Sequence, residues 1–135
     1  MDENQKLPVT GDVSEALSGA LLAYLGDAQL ELIVRKKLVL RGGRLGDLNK
    51  EADALVSAEG QCKALEKLLP LFTDEEAAAF RRGKNIHTNS IPKHCTPLQY
   101  RKATGLEVMF AYLYLTEQKE RMQELFEIGF TKTDF

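Results

Sequence analysis

Apolar positions recur every three or four residues along most of this chain and nowhere alternate with period two, so the pattern predicts helices joined by short loops and no sheet. Leu17, Leu21, Tyr24, Leu25, Ala28 and Leu32 mark a first helix, with Ser14 or Asp12 as its cap and Leu22, Leu30, Ile33 and Val34 on its other sides. A helix apolar nearly all round predicts a buried central rod, ended by the glycines of Arg41-Gly42-Gly43. Leu48, Leu55, Val56, Leu65, Leu68 and Leu69 predict a second helix, capped by Asp47 or Asn49, running to Pro70 and weakened at Gly60. Thr73-Asp74-Glu75-Glu76 is a capping box that opens a helix through Arg81 and Arg82, with Gly83 as a point of bending. Pro92, Pro97, Asn89 and Ser90 make residues 88–97 a loop. An apolar helix over about 98–115 and an amphipathic one over 117–128, with Thr116 as the cap between them, complete an all-α helical bundle. Tyr24, Tyr112 and Tyr114 fall among Leu and Phe at helical spacing, which predicts core packing for all three.

Composition narrows the setting. At 135 residues, 44% hydrophobic and 28% charged, the chain reads as one globular domain over 1–135. No stretch approaches the roughly 20 consecutive apolar residues of a membrane helix, and the acidic, polar N-terminus lacks the pattern of a signal peptide. A cytoplasmic protein without a membrane partner is expected. Cys62 and Cys95 are too few for a disulfide scaffold, and with His87 and His94 they lack the paired spacing of a zinc site. Gly42-Gly43 and Gly105 form no phosphate-cradling loop, so a nucleotide cofactor has no support.

Net charge is −2, yet the charges are segregated. Residues 32–46 hold Arg35, Lys36, Lys37, Arg41 and Arg44, and residues 80–102 hold Arg81, Arg82, Lys84, Lys93, Arg101 and Lys102, with no acid in either window. If the windows meet in space, the molecule has one basic face suited to a polyanion and an acidic back.

Carboxylates inside apolar helices carry the chemistry. Across residues 16–34 the only charges are Asp27 and Glu31, and across 103–116 the only charge is Glu107. Asp27 and Glu31 share one helix face, and packing of the two helices would bring all three acids together. A core carboxylate must be protonated, paired or bridged by a cation, and Arg35 and Arg101 are available for ordinary salt bridges. Acids on two apolar helices beside basic segments also suit a divalent cation, because phosphodiester hydrolysis needs a hard Lewis acid held by oxygen ligands. On residues alone, a metal-dependent nuclease and a nucleic-acid-binding bundle with inert salt bridges both fit.

Ala23-Tyr24-Leu25-Gly26-Asp27-Ala28 resembles the signature of the ribonuclease III endonuclease domain, in which a Leu-Gly-Asp-Ala step supplies a metal-binding Asp. Thr104-Gly105-Leu106-Glu107-Val108, followed by Ala111-Tyr112-Leu113-Tyr114-Leu115, resembles its second signature, in which a Glu on the last core helix is the other ligand. Val56-Ser57-Ala58 and Arg81-Arg82-Gly83-Lys84-Asn85 are similar to the short Mini branch of that family. The resemblance implies a ribonuclease III endonuclease-domain bundle, a homodimer that cuts double-stranded RNA with Mg²⁺ to leave 5′-phosphate and 3′-hydroxyl ends. In the Mini branch it implies maturation of the large-subunit (23S) ribosomal RNA precursor, with room for a ribosomal-protein helper. Carried onto this chain, it makes Asp27 and Glu107 the catalytic metal ligands and Glu31 a weaker one, equally placed to partner Arg35. Arg81, Arg82, Lys84 and Lys93 are the expected phosphate contacts, followed by Lys36, Lys37, Arg101 and Lys102. The chain departs from longer relatives at Ala20, Ala23 and Thr104, where acids are replaced, so that fewer protein ligands and more waters would surround the metal. It also reads as lacking their separate double-stranded-RNA-binding domain. The competing expectation is a non-catalytic RNA-binding or ribosome-assembly protein of the same fold.

Overall fold

A computed structural model of the chain describes residues 17–86 and 91–130, and among these the secondary structure is helical, without strands. The first helix, α1 (Gly19–Arg41), begins after Ser18, whose hydroxyl accepts a hydrogen bond from the Leu21 amide at 3.2 Å. Ser14 and Asp12 lie outside the described residues. The helix ends at Gly42, in the left-handed region at φ 93°.

The expectation of a rod buried all round is corrected for α1. Its buried positions, Leu22, Gly26, Leu30, Val34 and Leu38, form a single stripe four residues apart. The opposite face lies open, with Leu32 at 64%, Leu40 at 76% and Tyr24 at 81% exposure, so Tyr24 is a surface residue. Tyr114 is also largely at the surface, whereas Tyr112 is in the core.

The second expected helix is two. α2 (Leu45–Val56) starts after Arg44, with Asp47 in its first turn, and stops at Ser57; α3 (Ala58–Leu68) restarts immediately. At Ser57 the backbone is extended (ψ 162°), and the hydroxyl accepts from the Gly60 amide at 3.1 Å while donating to the Ala54 carbonyl at 2.8 Å. A serine satisfying both helix ends outweighs the continuing apolar period. A 3₁₀ turn, Leu69–Leu71, carries Pro70 and leads to α4 (Asp74–Lys84), which opens on the expected Thr73–Glu76 capping box.

α4 runs without interruption through Gly83. A methyl there would come 2.8 Å from Gly105 Cα, so the glycine serves a close crossing with α5 (Pro97–Leu115). α5 is the true central rod: Val108 to Leu113 are all buried, and α1, α3, α4 and α6 (Lys119–Gly129) pack around it. Thr116 closes α5 by donating to the Tyr112 carbonyl at 2.7 Å, and does not cap α6, which starts after Gln118.

A clamp that the periodicity did not reveal ties α4 to α6. Arg121 donates to both oxygens of Glu76, at 2.8 and 2.9 Å, and to the Leu71 carbonyl at 2.7 Å. Burial alone would raise the Glu76 carboxyl, but the guanidinium and the Thr73 amide more than offset it and hold it below the usual glutamate range. Arg121→Met strands a carboxylate that is 2% exposed, and a loss of about 3–5 kcal/mol in urea unfolding is expected. The lowered carboxyl stabilises the fold above the ordinary glutamate value of about 4.3, and that contribution is lost as pH falls through the lower folded value. The variant should therefore lack this part of the wild type's acid destabilisation.

Candidate active site

α1 and α5 touch backbone to backbone at Gly26. A methyl on Gly26 would lie 2.9 Å from Glu107 Cα and would overlap the Glu107 carbonyl. The glycine thus sets the closest approach of the two helices at the position where each carries its acid. Asp27, the next residue, and Glu107 line one cavity of about 460 Å³, and their carboxyls are close enough for Asp27 to raise the Glu107 carboxyl.

The two carboxyls are not equivalent. Asp27 is exposed, on the open side, while Glu107 is half-buried against the core. Burial first, then the hydrogen bond and charge of Asp27, push the Glu107 carboxyl up to about 8, against a smaller opposing effect of the Gln61 amide. Two acids in this relation favour sharing a proton, or a cation that removes their repulsion. The donor set, paired carboxylate oxygens open to solvent on one side, is the kind Mg²⁺ accepts, and Gln61 Oε1 is a buried acceptor without a protein partner. No group of three or more His, Cys, Asp or Glu among the described residues is arranged to hold a metal, so most of a cation's shell would be water and phosphate.

Ala20, Ala23 and Thr104, the positions of the missing acids, all line this cavity. The Thr104 hydroxyl donates to the Tyr100 carbonyl of its own helix at 2.9 Å. Glu31 does not line the cavity; it pairs with Arg35 at 2.6 Å.

The cations divide. Arg101 lines the cavity together with Gly83, Ile86 and Tyr100. Arg81 and Lys93 are exposed, and Lys84 and Lys102 half-buried. Arg82 donates to the Leu17 carbonyl, fastening the entry to α1. Lys37 is paired with Glu127, and Lys36 stands beside Leu32 and Leu40 in a separate groove. At about 1.5 Å per residue, Lys36 is some nine residues or about 14 Å along α1 from Asp27, and neither Lys36 nor Lys37 lines the cavity.

Gln61, buried in α3 and a small lowering influence on the Glu107 carboxyl, was missed by the sequence reading. Its signal was an amide at the head of the stripe Gln61, Ala64, Leu65 and Leu68, where an apolar residue is the rule.

The Ribonuclease III domain model matches residues 20–118, a span that contains both acids. A Mini-ribonuclease 3 of Symbiobacterium thermophilum is 41% identical over 107 residues, which cover 78% of this chain and 82% of that protein. Another, from Synechocystis sp., is 41% identical over 118 residues, 87% of this chain and 81% of the relative. The crystal structure of protein FN1578 from Fusobacterium nucleatum is similar with a TM-score of 0.79 at 34% identity, covering 88% of this chain and 95% of that one. With both signature acids brought to one cavity of an all-helical bundle, and relatives matched over most of their length, the chain belongs to the ribonuclease III family, alongside its Mini-ribonuclease 3 members.

Proposed function

We propose that this chain is a Mg²⁺-dependent endoribonuclease that hydrolyses double-stranded RNA to 5′-phosphate and 3′-hydroxyl ends, acting in the cytoplasm on the 23S ribosomal RNA precursor. The observation that carries the reading is the pairing of Asp27 and Glu107 in one solvent-open cavity by the Gly26 crossing. Magnesium bound there supplies a Lewis acid for the phosphodiester and lowers the pKa of an attacking water. Asp27 and Glu107 would hold it, and Glu31 would join only by releasing Arg35. Arg101 at the cavity, with Arg81, Lys84, Lys93 and Lys102 beyond it, contacts phosphates, and Arg82 keeps the α1 entry in place beneath them. Lys36 and Lys37, farther along α1, serve more distant phosphates of a duplex.

A homodimer supports cutting of both strands, because a twofold axis gives each strand its own site. The open apolar face of α1, including Leu21, Leu32 and Leu40, is the surface a second copy would cover. The names of the curated relatives support the ribonuclease reading, and the ribosomal precursor, with or without a ribosomal-protein helper, is the substrate the Mini branch suggests.

The test is direct. Purified protein should sediment as a dimer and cleave long double-stranded RNA in Mg²⁺ but not in EDTA, with the same cut on a 23S precursor transcript. Binding without cleavage in Mg²⁺ would overturn the reading in favour of a non-catalytic RNA-binding or ribosome-assembly role. Affinity for the duplex should fall steeply with salt in either case.

A further inference from the structure

Three side chains with hydroxyls line the cavity: Tyr24, Tyr100 and Thr104. Thr104 is committed to the Tyr100 carbonyl, and Tyr24, at 81% exposure, is too open for packing to hold its ring. Tyr100 is different. It is half-buried, and its backbone is fixed on both sides, with the amide donating to the Thr96 carbonyl at 3.0 Å and the carbonyl accepting from Thr104 at 2.9 Å. The Thr96–Gln99 capping box secures the same turn of α5. The Tyr100 phenol itself makes no hydrogen bond to a described residue, so a ring placed by a rigid helix end keeps its hydroxyl for whatever enters the cavity. Seven residues separate it from Glu107, which puts the two on one face of α5, about 10 Å apart along the axis. Arg101, beside it, carries the positive charge of that end of the cavity.

We infer that Tyr100 is a specificity-determining residue: its phenol hydroxyl hydrogen-bonds the ribose 2′-hydroxyl of a nucleotide next to the scissile phosphate, and so tells RNA from DNA at the cut. The inference rests on the reading of this cavity as a nuclease site for double-stranded RNA. The bases of a duplex stay stacked, so what reaches the two acids is backbone, sugars and phosphates. Phosphates are matched by charge, at Arg101 and at the bound cation. A neutral phenol is a poor partner for them, since a charged donor at the same place would bind an anion more strongly. It suits a group that both donates and accepts, which in an uncut strand's backbone is the 2′-hydroxyl. Ala20 and Ala23, on the α1 wall of the cavity, add small apolar surface against which a sugar ring can pack without a competing charge.

The experiment is a double-mutant cycle between protein and substrate. Tyr100→Phe removes one oxygen that bonds to no described residue, so the thermal midpoint should stay at the wild-type value. A short RNA duplex with a mapped cut is made all-ribose and as a series with a single 2′-deoxy nucleotide at each position flanking the cut, and kcat/KM is measured in Mg²⁺ for both proteins. Loss of one neutral hydrogen bond should slow Tyr100→Phe about 3- to 10-fold on the all-ribose duplex. One deoxy position should slow the wild type by the same factor. At that position the two proteins should cut equally fast, while the other positions affect both alike. A merely structural role for Tyr100 would slow every substrate by one common factor and leave no such coupling. The inference is overturned if Tyr100→Phe matches the wild type on the all-ribose duplex, if no deoxy position slows the wild type, or if the variant stays as sensitive as the wild type at every position. Should the wild type fail to cut the all-ribose duplex in Mg²⁺, the nuclease reading falls and this inference with it. Should it cut while the cycle shows no coupling, only the inference falls.

Discussion

Asp27→Asn and Glu107→Gln should each slow cleavage of double-stranded RNA by about 1,000-fold, equivalent to about 4 kcal/mol of transition-state stabilisation. Affinity for uncut duplex should be preserved, because neither acid is a phosphate contact and removing a negative charge does not weaken attraction to a polyanion. The size follows from the sparse donor set. With Ala20, Ala23 and Thr104 on the cavity wall, the chain offers two carboxylates where a richer site would offer more, and loss of either halves the protein's charge at the cation. Unfolding would give the same loss of activity, so stability is the necessary control. Glu107→Gln replaces an acid held against the core by a neutral group of the same shape, and the metal-free thermal midpoint should hold or rise. Mg²⁺ should raise the midpoint of the wild type by binding the native state, and should fail to raise that of either variant. A variant that keeps wild-type cleavage at the same Mg²⁺ concentration would remove its residue from the site.

Those two acids were legible in the sequence because a charge in an apolar run stands out against its background. Their meeting was expected from the family signatures but not fixed by periodicity, because it depends on helix–helix distance, which is set by what Gly26 lacks. The same limit explains the misreading of α1. Leu21, Tyr24, Leu32 and Leu40 have the character of core residues, and nothing in their spacing tells a face buried within the chain from one left open on its surface. The α2–α3 break was hidden for a different reason: the apolar period continues through Ser57, and only the hydroxyl's local competition for the Ala54 carbonyl and Gly60 amide ends one helix and begins the next. The Thr73–Glu76 box was visible as a local motif, whereas its second partner, Arg121, lies 45 residues away and adds its bonds only when α6 docks. Local chemistry was therefore readable, and contacts that depend on the approach of distant elements were not.

Gly26→Ala should be the most damaging single methyl group in this chain. The added carbon would sit 2.9 Å from Glu107 Cα and overlap its carbonyl, so no side-chain rotation can relieve it and one helix must move away from the other. Overpacking in a close-packed interior costs about 1–3 kcal/mol, and a backbone obstacle places this case at or above the upper end. The consequence for chemistry is larger than for folding. Separation of α1 from α5 draws Asp27 away from Glu107, and a displacement of about 1 Å at a reacting centre can cost about 100-fold in rate. Gly46→Ala is the matched control: it also lies in a helix, but a methyl there meets nothing within 4 Å, and a gain of about 0.5–1 kcal/mol is expected from the lost flexibility of the unfolded chain. Gly26→Ala should weaken Mg²⁺ binding and cleavage together even at temperatures where circular dichroism reports it folded. Wild-type Mg²⁺ affinity in that folded variant would mean that the helix crossing is not what holds the two acids in register.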